Sequence, residues 1–133
     1  MDDIFVGQLM SDDLHTVSKD TLVADAADLM LEHGIGSLIV VDEEDHLEGI
    51  LTTTDFVDIV AKSKPKAETT VERYMTTGVV TASVQDSIRD VADAMVEHGF
   101  HHMPVLDDDT VIGIITTKDL TSYISTVQTP SPA

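Results

Sequence analysis

The chain has 133 residues, enough for one compact domain or two half-size units sharing a core, and its 42% hydrophobic content excludes a disordered acidic tail. It has no cysteine, which excludes a disulfide framework, a thiolate zinc site and a cysteine nucleophile. Seven Lys and Arg against 25 Asp and Glu leave a formal charge of −18, a surface that repels nucleic acid and anionic membranes.

The elements, taken in chain order, occur twice. A short segment ends at Met10, a brief strand follows at Thr16-Val17, and a helix then carries Val23, Ala26, Ala27 and Met30 at i, i+3, i+4 and i+7. Asp25, Asp28 and Glu32 fall on its opposite, solvated face. Thr21 is its expected N-cap, His33 sits in its last turn and Gly34 follows as its terminator. Two β-branched runs, Ser37 to Val41 and Leu47 to Leu51, flank the acidic turn Asp42 to Asp45 and predict an antiparallel hairpin. A second helix spans Thr53 to Lys62. Ala61 to Ala67 is rich in Lys and holds Pro65, and reads as a linker. The same order then returns. A segment ends at Met75, a strand is expected at Val79 to Ala82, and a helix carries Ile88, Val91, Ala92 and Met95. Asp86 is its expected cap and Gly99 its terminator. Met103 to Leu106 and Val111 to Ile115 form a hairpin around Asp107 to Asp109, and a helix runs from Thr117 to Val127.

The repeat is explicit in the residues. Asp25-Ala-Ala-Asp-Leu-Met-Leu-Glu-His-Gly34 matches Asp90-Val-Ala-Asp-Ala-Met-Val-Glu-His-Gly99, and Gly49-Ile-Leu-Thr-Thr-Thr-Asp55 matches Gly113-Ile-Ile-Thr-Thr-Lys-Asp119. The expected fold is α/β of the α+β kind. Two β-α-β-β-α repeats, residues 1–63 and 64–127, are related by a pseudo-two-fold and packed sheet to sheet, and a frayed tail covers 128–133.

Chemistry concentrates where the last strand of each repeat runs into a helix. Gly-x-x-Thr-x-x-Asp places a hydroxyl and a carboxylate at exposed helix N–H groups, where the positive end of the helix dipole lies. A threonine there can donate to a phosphate, and a carboxylate one turn later can accept from vicinal ribose hydroxyls. The same pattern is that of a capping box, with Thr52 as cap and Asp55 at the third helical position, and both roles can hold together.

On these paired motifs, and on His102-Met-Pro-Val105 opening the second hairpin, the chain resembles a tandem pair of cystathionine β-synthase (CBS) domains, a Bateman module, over about residues 4 to 127. The resemblance implies a non-enzymatic regulatory module. It would bind an adenosine-containing ligand (AMP, ADP, ATP or S-adenosylmethionine) in clefts between the repeats and signal to an effector protein, with the nucleotide as ligand and no catalytic cofactor. It also implies roles: Asp55 and Asp119 for ribose, Thr52 and Thr116 for phosphate, and Thr16, Val17, Thr81 and Ala82 for adenine. His101, His102 and Lys118 would face phosphate. Ser37 and Ile39 stand in the first copy where the second has His102 and Pro104, so two unequal sites are expected, the second holding phosphate better. Triphosphate near a −18 chain is disfavoured without a metal.

The remaining signals are weaker. His98-Gly-Phe-His101-His102 has no evident carboxylate partner for a metal site, and the acidic turns lack the spacing and glycine of a calcium loop. The methionines fall mainly on apolar faces, and no catalytic arrangement can be assembled. Apolar residues on the second helix of each repeat (Phe56, Ile59, Val60; Leu120, Tyr123, Ile124, Val127) exceed what a small sheet covers and predict a homodimer. The apolar runs are strand-sized and the acidic start MDDIFVGQLM is unlike a signal peptide, so a cytoplasmic protein with no membrane partner is expected. The acid excess, with 4% aromatics, is expected of a halophile, where a Debye length of about 3 Å at molar salt screens self-repulsion. The alternatives are a ligand-free dimerisation scaffold and a module specific for S-adenosylmethionine.

Overall fold

The computed structural model describes residues 4–62 and 68–127. Most of the expected linker and all of the expected tail lie outside the described residues. The elements are α1 (Val6–Leu9), β1 (Thr16–Val17), α2 (Val23–His33), β2 (Ser37–Val41), β3 (Leu47–Thr52), α3 (Thr53–Lys62), α4 (Val71–Tyr74), α5 (Ile88–His98), β4 (His102–Asp107), β5 (Thr110–Thr116) and α6 (Thr117–Val127). They form a mixed α/β fold in which each repeat contributes sheet and helices, as the sequence pattern predicts.

The chain divides into two compact units that cut across the repeat. Among the described residues, one comprises those of 14–79 with 109–111; the other comprises 4–13, 80–108 and 112–127. The leading segment of each repeat therefore folds with the body of the other.

In the 14–79 unit, β1 lies parallel to β2, and β2 pairs antiparallel with β3, with Ser37 opposite Thr52 and Val41 opposite Leu47. Its core joins Val17, Ala26, Met30, Leu38, Val40, Leu51 and Val71, against which Phe56, Tyr74 and Met75 pack. All five residues of β2 are buried, which is why that strand reads as an unbroken apolar run. Val71, fully buried, ties α4 into this core, and burying such a side chain is worth about 1.5–3 kcal/mol. Its N–H donates to the Thr21 carbonyl at 2.8 Å, and Thr76 exchanges hydrogen bonds with Ile50 at 3.0 and 2.9 Å.

The other unit repeats that construction. Its core joins Val6, Ala82, Val91, Met95, Met103, Val105 and Ile115, with Met10, Phe100 and Leu120 packed against it. Val6 N–H donates to the Asp86 carbonyl at 2.8 Å, and Ser11 exchanges hydrogen bonds with Ile114 at 2.8 and 2.9 Å. Gly49 and Gly113 make these approaches possible. A Cβ on Gly49 would lie 2.7 Å from the Thr76 carbonyl oxygen, and one on Gly113 would lie 2.7 Å from Met10 Sδ and 2.9 Å from the Ser11 oxygen.

The second copy of β1 contracts to one residue. Ala82 N–H donates to the Pro104 carbonyl and Leu106 N–H to the Ala82 carbonyl, giving a single parallel bridge where a strand at Val79 to Ala82 is expected. The cause is Pro104, which has no N–H to continue the ladder past Ala82; Ile39 stands at that place in the first copy. The helix starts also need correction by one residue. The N-caps are Leu22 and Ser87, and Ser87 Oγ accepts from Asp90 N–H at 3.1 Å. Thr21 and Asp86 instead close the preceding turns, accepting from Ser18 N–H at 3.2 Å and Ser83 N–H at 2.9 Å. Gly34 and Gly99 end their helices in the left-handed region, at φ 63° and 72°. The apolar residues of the second helices divide: Ile59 is buried and Phe56 and Leu120 pack inward, while Val57, Val60 and Ile124 are exposed.

Candidate functional site

Both strand-to-helix junctions close on themselves. Thr52 N–H donates to Asp55 Oδ2 at 2.7 Å and Thr52 Oγ1 donates to the same oxygen at 3.3 Å. Thr116 N–H and Oγ1 donate to Asp119 Oδ2 at 2.9 and 3.1 Å, and Asp119 N–H donates back to Thr116 Oγ1 at 3.3 Å. The second copy is thus a reciprocal capping box. One carboxylate oxygen anchors each Asp at its helix start, and the hydroxyl proton of each Thr is directed at that oxygen. Asp55 and Asp119 are partly buried and held in orientation by these bonds.

The segments before β2 and β4 are held at these junctions. Thr53 N–H donates to the Gly36 carbonyl at 3.1 Å and Thr117 N–H to the His101 carbonyl at 3.0 Å. Ser37, Thr52 and Asp55 thereby meet at one end of the 14–79 sheet, and His101, His102, Thr116 and Asp119 meet at the matching end of the other unit. Ser37 is buried, whereas His101 and Lys118 are exposed. Burial of His102 pushes its pKa below the ordinary value; His101 adds to this and Asp119 opposes it. His102 Nδ1 is buried and has no hydrogen-bond partner.

The other expected site residues are placed less directly. Val17 and Ala82 are buried, so they can offer a ligand little but backbone, and Thr16 pairs with Ile39, two residues along β2 from Ser37. Pro104 is fully buried and shapes the ladder. Thr16 and Val17 also border an open cleft of about 530 Å³ toward the hairpin tip, with Ser18, Lys19 and Asp20 beside them. Its other walls carry Asp42, Glu43, Asp45 and Glu48, so five carboxylates face one lysine, an environment that rejects phosphate. Composition alone marks the tip as acidic; that β1 delivers Thr16 and Val17 to the same cleft follows only from the parallel pairing of β1 with β2.

The hairpin tip has its own lock. Asp42 Oδ1 accepts from Glu44 N–H at 2.8 Å and His46 N–H at 2.9 Å, and Asp42 Oδ2 lies 3.2 Å from His46 Nδ1. Among the described residues no group of three or more His, Asp or Glu side chains is placed to hold a metal ion, and no helix is long and apolar enough to cross a membrane.

The CBS-domain family model matches residues 6–62 and 71–126. A 17.7 kDa protein of Acidianus ambivalens is 32% identical over 125 residues, 93% of this chain and 75% of that one. A homoserine O-acetyltransferase of Methanosalsum zhilinae is 31% identical over 125 residues, but this chain spans only 25% of it. Among solved structures, the CBS domain pair of protein MJ0100 in complex with 5′-methylthioadenosine and S-adenosyl-L-methionine is similar at TM-score 0.87 and 28% identity, over 95% of this chain and 99% of that one. CBSX2 in complex with AMP is similar at TM-score 0.81 and 26% identity, over 93% and 98%. With two repeats that each match the family model and together span nearly the whole chain, this protein belongs to the CBS-domain family as a tandem pair.

Proposed function

We propose that this CBS pair is a regulatory module, without catalysis of its own, that binds an adenosine-containing small molecule and signals its occupancy to an effector protein. The observation that carries the reading is the duplicated junction in which Asp55 and Asp119 are anchored through one oxygen to Thr52 and Thr116. The other carboxylate oxygen lies outside these bonds and is suited to accept from ribose hydroxyls. The likeness to pairs that hold AMP or S-adenosylmethionine with 5′-methylthioadenosine supports an adenosine ligand. In this reading adenine takes backbone contacts at Thr16, Val17, Thr81 and Ala82. Ser37 serves the first site, and His101, His102 and Lys118 serve the second, whose shape Pro104 sets.

The same reading includes a cytoplasmic homodimer in which the exposed Val57, Val60 and Ile124 are covered by a second copy. It also takes the acid excess as adaptation to a salt-rich interior. Ligand-induced change is limited by the difference in affinity between the two states it connects.

Equilibrium titration of AMP, ADP, ATP and S-adenosylmethionine into the protein in molar KCl tests the reading. At least one is expected to bind below millimolar, and Asp119→Ala to weaken it by about 1.5–3 kcal/mol. Absence of binding by all four would leave the ligand-free scaffold. Sedimentation at tens of micromolar separates dimer from a 14.4 kDa monomer.

A further inference from the structure

His102 Nδ1 is the one buried side-chain nitrogen or oxygen without a hydrogen-bond partner among the described residues. Of the two ring nitrogens, Nδ1 is sealed, so the neutral ring carries its proton on Nε2. Protonating the ring would place an N–H at Nδ1 with no acceptor, a buried unsatisfied donor. Two titratable groups act on the ring. His101 precedes it on the same segment, and Asp119 faces it from α6 with its carboxylate tied to Thr116. Burial and His101 disfavour the imidazolium, and Asp119 favours it, so the ring is neutral at pH 7.

This state decides what the junction can accept. Asp119 puts a carboxylate at the start of α6, and the chain as a whole carries −18. A phosphate brought there meets that carboxylate, with the exposed Lys118 and the N-terminus of α6 to offset it, and a proton on His102 would add a positive charge at the same place. An uncharged adenosine compound meets no such repulsion and needs no proton.

We propose, resting on the adenosine-binding reading above, that His102 makes ligand choice at the second-repeat site proton-dependent, a neutral ring admitting uncharged adenosine compounds and a protonated ring admitting phosphate-bearing ones. AMP binding then takes up a proton at His102, and adenosine binding does not. Linkage fixes the sign: the affinity for AMP falls as pH rises through the pKa of the bound state, by at most about tenfold per pH unit, while the affinity for adenosine stays level. AMP's own second ionisation, near pH 6, makes AMP more anionic as pH rises and so adds to the fall beside the Asp119 carboxylate; the share carried by His102 is the share that its substitution removes.

The test is calorimetric titration of the whole chain with adenosine and with AMP at pH 5.5, 6.5 and 7.5, each in two buffers of different ionisation heat. The AMP-to-adenosine affinity ratio is expected to fall severalfold across this range, with net proton uptake for AMP alone. In His102→Gln the fall and the uptake should shrink to the part due to AMP's own ionisation, and in His98→Gln, at the end of α5 and outside the site, both should persist in full. NMR titration of His102 in the unmutated protein gives the same answer without a variant: its midpoint should rise with AMP and stay unchanged with adenosine. A level ratio, or a His102 midpoint that AMP does not move, overturns the proposal while leaving adenosine binding in place. Failure of both compounds to bind overturns it together with the reading on which it rests.

Discussion

Gly113→Ala distinguishes two views of the glycine that opens the Gly-x-x-Thr-x-x-Asp motif. By backbone propensity alone the change should stabilise a strand residue, since glycine loses more freedom on folding and alanine gains about 0.5–1 kcal/mol. The tertiary structure predicts the opposite sign. The new methyl would lie 2.7 Å from Met10 Sδ and 2.9 Å from the Ser11 carbonyl oxygen. The methionine can swing away. The carbonyl cannot, because it accepts from Ile114 N–H at 2.9 Å while Ser11 N–H donates to Ile114 at 2.8 Å. Overpacking of this kind costs about 1–3 kcal/mol, and loosening the Ser11–Ile114 pair adds about 0.5–1.5 kcal/mol for each bond weakened. A net loss of about 2–4 kcal/mol corresponds, at about 4 °C per kcal/mol for a chain of this size, to roughly 8–16 °C in Tm. Thermal melts followed by circular dichroism in molar KCl measure it. Adding Met10→Ala should recover only part of the loss, since the carbonyl stays. A Gly113→Ala protein that melts at or above the parent would refute the close approach of residues 10 and 11 to β5.

Three further outcomes are expected. Ser87→Ala should destabilise by about 1 kcal/mol in chemical denaturation through loss of the cap on Asp90 N–H, while Ser87→Asp, which can still accept from that N–H, should not; equal losses would contradict the assignment. With 25 acids against seven bases, Tm should rise steadily between about 50 mM and molar KCl, and a flat curve would remove the argument from charge. The Asp42 carboxyl should titrate below its ordinary value of 3.8, chiefly because it accepts from His46 N–H. The stability it lends the hairpin tip is then complete above that value and lost as pH falls through the lower folded-state one, and an NMR midpoint at or above 3.8 would contradict the turn geometry.

The sequence by itself determined the repeat, the two amphipathic helices with their glycine terminators, both hairpins and the paired Thr-x-x-Asp junctions. These are local patterns, and the burial of Val23, Ala26, Met30, Val91 and Met95 on one stripe follows directly from their spacing. Boundaries one residue apart, such as Thr21 against Leu22 or Asp86 against Ser87, were not legible. Each polar side chain has two nearby backbone N–H groups to choose from, and turn closure takes Thr21 and Asp86. The exchange of leading segments was less legible still. Val6 and Val71 begin corresponding segments that share the buried Val and the closing Met of Val6-Gly-Gln-Leu-Met10 and Val71-Glu-Arg-Tyr-Met75, so the repeat pattern does not say which core each enters. The packing inside each unit decides it, with Val6 in the core of Val91 and Ile115 and Val71 in that of Ala26 and Leu51. The role of Gly49 and Gly113 follows from that choice: read along the strand they look like loop or anion-site glycines, and only the segment laid across them shows that a side chain has no room. The same holds for His102, whose residue type promised a cation and whose burial makes it neutral.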